Sequence, residues 1–596
     1  MSTDYSPPLK DIGFVLEQVT DLAGLLELDD FNHADLETVL GALDEAGRFM
    51  SEVIAPTNRT GDQVGSVHDG DASVITPAGF REAYAKFVES GWGSIGYPLE
   101  AGGAGLPWLI GLVVQEMFTS SNMAFSLGPM LTQGAVEALI FHGSDEQKAT
   151  YLDKLSSGEW TGTMVLTEPE AGSDVGALRT KAIPNPDGTY SVSGTKIFIS
   201  WGEHDLTDNI IHMVLARTPD SPPGTKGISM FLVPKFLVNS DGTPGERNTL
   251  KAVSLEHKLG IHASPTAVMS FENATGFLIG EENQGMRYMF TMMNSARLSV
   301  GLEGLAVSER AYQQARDFAQ ERVQGRAIGA PKTAHSAIIE HPDIRRMLMT
   351  IKAYNEAMRS VLYATAEAFD RTHHEPDEAV RSQAEELLEL LTPIAKAWCS
   401  DLGVEMTSLA LQIHGGMGYV EETGVAQHYR DARIAPIYEG TNGIQAIDLV
   451  ARKLPMRNGG AIEDLIGDMM KLDEPLAAAG DGFTTLRSGL AAAVADLTSA
   501  VLWLAEHGLQ NPNHALAAAT PFLRLMGTTV GGWLMARSAL AAEELVAAGQ
   551  GDPDFLQAKL TTARFYAEQL LPQTAGLLPM VTAGADQLFE VPVAQL

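Results

Sequence analysis

The strongest constraint on how this 596-residue chain can fold is a change of texture, in which one strand-like stretch interrupts a sequence that otherwise reads as helix. Between about 161 and 280, five short runs are rich in β-branched and aromatic residues and are separated by turn clusters: TGTMVLTEP, TYSVSGTKIFIS, DNIIHMVLAR, GISMFLVP and TAVMSFENA. Such side chains suit a pleated, half-buried surface, so this stretch is expected to form a small β domain. PNPDGTY is read as a hairpin turn, because Gly188 can take positive φ without steric cost.

On either side the pattern is helical. In LETVLGALDEAGRFMSEVIA, Leu40, Leu43, Phe49 and Val53 recur at helical intervals, and GYPLEAGGAGLP reads as a loop between helices. Beyond GEENQGM, Met347, Ile351, Tyr354, Met358 and Leu362 form one apolar stripe. Around 455 to 480 the chain turns Gly/Pro/Asp-rich and reads as a linker, after which Leu486, Leu490, Val494, Leu497, Val501 and Leu504 resume the period. The expected architecture is mostly α with a central β domain. Its segments are an N-terminal extension (1–34), a helical domain (35–160), the β domain (161–280), a helical bundle (281–455) and an additional C-terminal helical domain (456–596).

Composition narrows the function. With 45% hydrophobic and 19% charged residues the chain is of globular type. A formal charge of −34 repels nucleic acid and anionic lipid, so no nucleic-acid partner is expected. The most apolar run, LAAAVADLTSAVLWLA, is broken by Asp496, so no membrane span is expected. MSTDYSPPLKDIGF has neither a basic n-region nor an apolar h-region, which leads to a cytoplasmic expectation. Cys399 is the single cysteine, which excludes an intramolecular disulfide and a thiolate metal cluster; in PIAKAWCSDLGVEM it reads as a packed thiol. His257 and His262 lack the companions of a metal site, and His414 reads as structural. No G-x-G-x-x-G follows a strand, so a Rossmann site is not supported and any redox cofactor must be held in another way.

Four separated motifs carry the chemistry: TEPEAGSDVGALRTKA (167–182), KIFISWGEHD (196–205), LQIHGGMGYVEE (411–422) and RDARIAPIYEGTNGIQ (430–445). In order and spacing they resemble the acyl-CoA dehydrogenase superfamily over roughly residues 35 to 450. The extra stretch after 455 and the opening PLKDIGFVLEQV are similar to its larger bacterial type, the 3-methylthiopropanoyl-CoA dehydrogenase group. The resemblance implies a β-barrel-like middle domain and a C-terminal four-helix bundle that carries the base. It also implies FAD as cofactor, with α-proton and β-hydride removed from an acyl thioester to leave trans-2-enoyl-CoA. Electrons would pass to an electron-transferring flavoprotein, and the active form would be a homo-oligomer, at least a dimer.

The same resemblance assigns residues. Glu439 in IYEGT stands at the position of the base, although by itself it would be a loop carboxylate capping a helix that begins near Asn442. A carboxylate desolvated by a bound acyl chain has its pKa raised toward that of a carbon acid. Tyr438 and Gly440 fall beside the substrate, with the Glu439 N–H and the flavin ribityl hydroxyl meeting the enolate oxygen. Phe198 and Ser200 match the wall against the isoalloxazine; on a plain strand they would merely be same-face neighbours. Leu166 and Thr167 match contacts to the flavin pyrimidine, while Gly172 and Ser173 match contacts to the pyrophosphate, Ser173 serving the substrate as well. Arg322, Gln412, Gly415 and Gly416 match the residues that complete a neighbouring subunit's cofactor site, and Thr441 matches a nucleotide contact. Gly443 replaces a common glutamine, Asn294 replaces a common aspartate, and Arg297 is retained, with a role toward CoA or the catalytic loop. The pocket wall is expected within SSNMAFSLGPMLTQG, 120–134.

Other readings share these motifs. An acyl-CoA oxidase would use the same base and admit oxygen. A DNA-associated branch of the superfamily carries a basic C-terminal face, and the very-long-chain enzymes carry a basic amphipathic membrane segment. Here the C-terminal stretch is Ala/Leu-rich with Asp496 and Glu506, so dimer packing is its expected task. Short to medium saturated acyl-CoA is the expected substrate class, with 3-methylthiopropanoyl-CoA as the alternative.

Overall fold

The computed structural model describes residues 5–71 and 73–596; the first four residues, part of the N-terminal segment read for a leader, lie outside them. Two compact units emerge, one built on Gly41–Ser299 and the other on Pro8–Leu40 with Val300–Leu596.

In the first unit, helices Pro56–Val64, Phe80–Ser90, Trp108–Ser121 and Met123–His142 precede a seven-stranded sheet. Its strands are β1 (Thr161–Val165), β2 (Lys181–Pro184), β3 (Tyr190–Ser200), β4 (Ile210–Ala216), β5 (Ser229–Pro234), β6 (Leu250–Leu255) and β7 (Thr266–Leu278). They run in the order β1-β4-β5-β7-β3-β2, with β6 also pairing β7. Only β1 and β4 are parallel. β1, β4 and β5 are buried at every position, which explains their unbroken apolar character, and the hydroxyls they bury are matched: Thr161 Oγ1 to His204 Nε2 (2.8 Å) and Thr163 Oγ1 to His212 Nδ1 (2.7 Å). Gly162 has a packing reason, since a Cβ there would stand 2.3 Å from the Ala135 Cβ, so the Met123–His142 helix lies directly on the sheet. The expected turn at Gly188 joins β2 to β3 with φ +87°.

β2 and β6 were not evident in the sequence. KAIP and LKAVSL are short and half polar, and they become strands because β3 and β7 offer them partners.

The second unit is helical. The bundle comprises the C-terminal part of Gly285–Glu321, then Pro342–His374 and Glu378–Ile413, followed by Val425–Ala432 and Asn442–Asp448. The whole predicted stripe from Met347 to Leu362 is buried. The linker reading of 455–480 is corrected: Gly460–Met470 and Asp473–Ala478 are helices, because Ile462, Leu465, Met469 and Leu476 bury an apolar face that Gly and Asp had obscured. Thr484–His507, Pro512–Ala548, Pro553–Phe565 and Gln573–Thr582 complete the additional domain. Pro512–Ala548 packs on both Pro342–His374 and Glu378–Ile413. Gly527 and Gly531 permit this approach, as a Cβ at either would stand 2.5 or 2.9 Å from the Trp398 ring. The additional domain is thus a second layer of the bundle.

Among the described residues, two helical segments, Met123–His142 and Asp481–His507, are long and apolar enough to cross a membrane. The first is 78% buried within the protein, as a core helix is, and the second 33%.

Candidate active site

In the Gly41–Ser299 unit, the segment after β1 carries Leu166, Thr167, Gly172 and Ser173. A buried carboxylate fixes it: Glu168 accepts from the Arg179 N–H (2.6 Å), the Thr180 N–H (3.0 Å) and the Thr180 hydroxyl (2.5 Å), and pairs with Lys196 Nζ at 2.8 Å. Lys196, itself buried, donates also to the Leu166 carbonyl at 2.8 Å. Burial alone would raise the Glu168 pKa, but Lys196 and these donors hold it below the usual range; burial brings Lys196 down to about 8 against the pull of Glu168. The two ends of the loop are therefore tied, while Gly172 and Ser173 remain exposed at its tip.

Phe198 departs from the plain-strand expectation. Ile197 and Phe198 face the single residue Val268 in a bulge, Phe198 takes φ +59°, and the residue is 59% exposed. Trp201 is also left-handed (φ +54°) but buried against Phe125 and Gly128. Left-handed backbone at bulky residues costs roughly 1–3 kcal/mol each and persists where the surroundings enforce it. Here it turns one aromatic face outward beside the half-buried Ser200. In the same unit Arg297 is buried, its guanidinium 5.7 Å from the Phe290 ring centre. Asn294 lies on the same helix. The expected pocket segment 120–134 is almost wholly buried within and before the Met123–His142 helix.

In the other unit, Tyr438, Glu439, Gly440 and Thr441 occupy one loop. Glu439 is half-buried with φ +53°, and Gly440 follows at φ +83°. Both flanks are held. The Tyr438 hydroxyl lies 2.6 Å from each carboxyl oxygen of Glu303, a group 1% exposed. Asn442 donates to the Ala397 carbonyl (3.1 Å), Ser400 Oγ (3.0 Å) and Asp401 (2.7 Å), and accepts from Lys396 Nζ (2.8 Å). Lys396, fully buried, also donates to the Ala435 carbonyl at 2.8 Å. Thr441 caps the Asn442–Asp448 helix, its side chain accepting from the Ile444 N–H, so the helix start expected near Asn442 is present. Burial pushes Glu303 up to about 8, Tyr438 and Lys396 oppose that rise, and the Glu439 charge adds to it. Beside Gly440, Gln445 is buried with both amide atoms unpaired among the described residues, and a Cβ at position 440 would stand 2.7 Å from its Nε2.

Gln412 is exposed in the last turn of the Glu378–Ile413 helix, and the exposed Gly415 and Gly416 open the 3-10 turn Gly415–Tyr419 that follows, with Gly415 at φ +57° and open space beside both glycines. His414 has the structural role expected, bonded through Nδ1 to the Ala410 carbonyl (2.8 Å) and stacked on Phe318. Arg322 is exposed just past the Gly285–Glu321 helix. Leu166, Thr167, Gly172, Ser173, Phe198 and Ser200 thus belong to one unit, and the base loop, Arg322, Gln412, Gly415 and Gly416 to the other. Sequence reasoning missed Glu168, Lys196, Glu303, Lys396 and Gln445. Charged residues inside apolar helical runs, as in SVGLEGLAV and PIAKAW, were the available signal.

The residues suit a flavin nucleotide. In the Gly41–Ser299 unit, an outward aromatic face and a tied loop with exposed glycine and serine supply the surfaces that a planar ring and a diphosphate need.

Comparison with known proteins agrees. Models of the acyl-CoA dehydrogenase N-terminal, middle and C-terminal domains match residues 41–159, 163–274 and 283–454, and an acetyl-CoA dehydrogenase C-terminal-like model matches 462–592. The chain is 47% identical to 3-methylmercaptopropionyl-CoA dehydrogenase of Ruegeria pomeroyi, over 98% of this chain and 99% of that protein. It is 35% identical to a butyryl-CoA dehydrogenase of Syntrophomonas wolfei, over 99% and 98% respectively. Caenorhabditis elegans ACDH-11, solved in complex with C11-CoA, shares the fold at 21% identity and TM-score 0.75, covering 95% of this chain and 92% of its own. The chain belongs to the acyl-CoA dehydrogenase family. It is an FAD-dependent oxidoreductase that introduces a double bond between Cα and Cβ of acyl-CoA thioesters.

Proposed function

We propose that Glu439 is the base that takes the α-proton and that the substrate is a short to medium saturated acyl-CoA. The observation carrying this is the loop itself: a carboxylate held at positive φ, with Tyr438 anchored on Glu303 and Asn442 anchored on four groups of the neighbouring helix. Such strain is maintained where the surroundings fix a side chain for use. Leu166, Thr167, Gly172, Ser173, Phe198, Ser200 and Thr441 would hold FAD, which when bound supplies the two-electron acceptor for the β-hydride. Glu439 would hold the α-proton at a carboxyl oxygen until the product leaves. Arg297, Ser173, Tyr438 and Gly440 would border the thioester.

Arg322, Gln412, Gly415 and Gly416 would serve a partner subunit's cofactor, which makes the working form a homodimer or a larger assembly. An electron-transferring flavoprotein would be the electron acceptor and the cytoplasm the compartment. Boundaries near 34, 160, 280 and 455 would separate the functional segments. Sedimentation tests the assembly, and fractionation tests the compartment.

A second reading of the substrate is supported by the 47% identity to the Ruegeria protein: 3-methylthiopropanoyl-CoA. Its acyl group matches pentanoyl in chain length, with sulfur in place of one methylene, so one short apolar pocket suits both. Dye reduction across acyl-CoAs of two to eighteen carbons and 3-methylthiopropanoyl-CoA decides; a kcat/KM maximum at long chains would refute both. Peroxide release in air at the rate of dye reduction would identify an oxidase instead.

A further inference from the structure

We propose that Glu303 is a positioning residue that holds a proton against the Tyr438 hydroxyl, so that the site bears one negative charge, that of Glu439, when the α-proton is removed. The inference rests on Glu439 being the base.

Three observations carry it. Glu303 is 1% exposed and its hydrogen-bond partner is the Tyr438 hydroxyl, while the nearby cation Lys396 bonds the Ala435 carbonyl and Asn442. A buried carboxyl whose bonded partner is a neutral hydroxyl favours its neutral form. Both of its oxygens lie 2.6 Å from one phenol oxygen. A phenol hydroxyl carries a single hydrogen, so two contacts of that length call for a second, which a carboxylic acid supplies: the phenol donates to one oxygen and the acid O–H donates back. Finally, Tyr438 is the chain neighbour of Glu439, so the pair fixes the loop that aims the base.

The titratable and charged groups acting on Glu303 are Tyr438, Lys396 and Glu439. Burial raises its pKa to about 8, Tyr438 and Lys396 lower it, and Glu439 raises it further. Below that pH the acid is neutral. Above it a second carboxylate stands beside the base, and the enolate charge that develops on proton removal is disfavoured by like-charge repulsion.

The test is the pH dependence of kcat/KM from pH 6 to 10 in the FAD-loaded enzyme, with an infrared difference spectrum between pH 7 and pH 9. For the wild type we expect a basic limb with a midpoint near 8, a fall of about tenfold for each further pH unit, and loss of a protonated-carboxyl band. In Glu303→Gln the band change should be absent and kcat/KM should stay within about twofold between pH 7 and 9. In Tyr438→Phe the limb should move to higher pH, because the carboxylate loses a donor that stabilises it; this variant keeps the test decisive if Glu303→Gln does not fold. An unchanged limb and unchanged band in Glu303→Gln overturn the inference even where Glu439→Gln is inactive. Full turnover in Glu439→Gln would instead overturn the reading of the base.

Discussion

Replacing Lys559 with Met should free the N-terminal helix Leu9–Gln18 from the bundle. Lys559, 1% exposed, bonds Asp11 at 2.6 Å and Glu356 at 2.9 Å. Arg359 pairs with the same Asp11 and lies 3.6 Å from Glu309, Lys352 pairs with Glu356, and Asn355 donates to Glu309 at 3.0 Å. Three cations, Lys559 and Arg359 buried and Lys352 half-buried, thus balance Asp11 of the extension and Glu309 and Glu356 of the bundle, with Lys559 supplied by the additional domain. Removing the Lys559 charge leaves three anions facing two cations. Breaking such a buried network on one side costs about 3–5 kcal/mol, and one pKa unit or tenfold corresponds to about 1.4 kcal/mol, so local opening should rise roughly 10²–10⁴-fold. Native-state hydrogen exchange of the Leu9–Gln18 amides measures this opening directly. Adding Asp11→Asn should cost less than the sum of the single changes, because the two groups share one network. Protection within about threefold of wild type, under 1 kcal/mol, would refute the reasoning. The network also fixes a pH dependence. Burial pushes Asp11 up, but Lys559, Arg359 and Lys352 overcome this and hold it well below the usual carboxylate range. A depressed folded pKa contributes stability above the unfolded value of about 4 and loses it as pH falls toward the folded one, so docking should persist to about pH 4 and fail in stronger acid.

Gly440→Ala should retain flavin and lose most turnover: φ is +83° and the new Cβ would stand 2.7 Å from Gln445 Nε2, a strain of roughly 1–3 kcal/mol placed on the base loop; steady-state kcat with a dye acceptor checks it. Lys196→Met should leave Glu168 buried without its cation, loosen the 166–180 loop and weaken FAD retention at least tenfold, read as the flavin-to-protein ratio after dialysis. The thiol of Cys399, which burial raises well above its ordinary pKa, should resist thiol reagents in the native enzyme and react on unfolding.

Much of the fold was legible because its signals are local. The five apolar runs became β1, β3, β4, β5 and β7, since β-branched residues between turn clusters state a strand without reference to partners. β2 and β6 were hidden because their pairing depends on partner strands 6 to 21 residues away in sequence, and LDEPLAAAGDG hid a helix because its apolar face is carried by few residues. At the site, Glu439 and the loop residues were named from motif resemblance alone. The bulge that turns Phe198 outward, and the buried partners Glu303, Lys396, Glu168 and Lys196, were not legible, because bulges and buried charges are products of tertiary contact. A lysine in PIAKAW looks like a solvated charge until Ala435 and Asn442 close over it.

The central claim, that the Glu439 carboxylate removes the α-proton, is tested most directly by single-turnover reduction of the enzyme-bound flavin on rapid mixing with butyryl-CoA, wild type against Glu439→Gln. Loss of a general base predicts a rate lower by at least about 10²–10⁴-fold with flavin content and acyl-CoA binding preserved. Bleaching of the variant's flavin at the wild-type rate would contradict it.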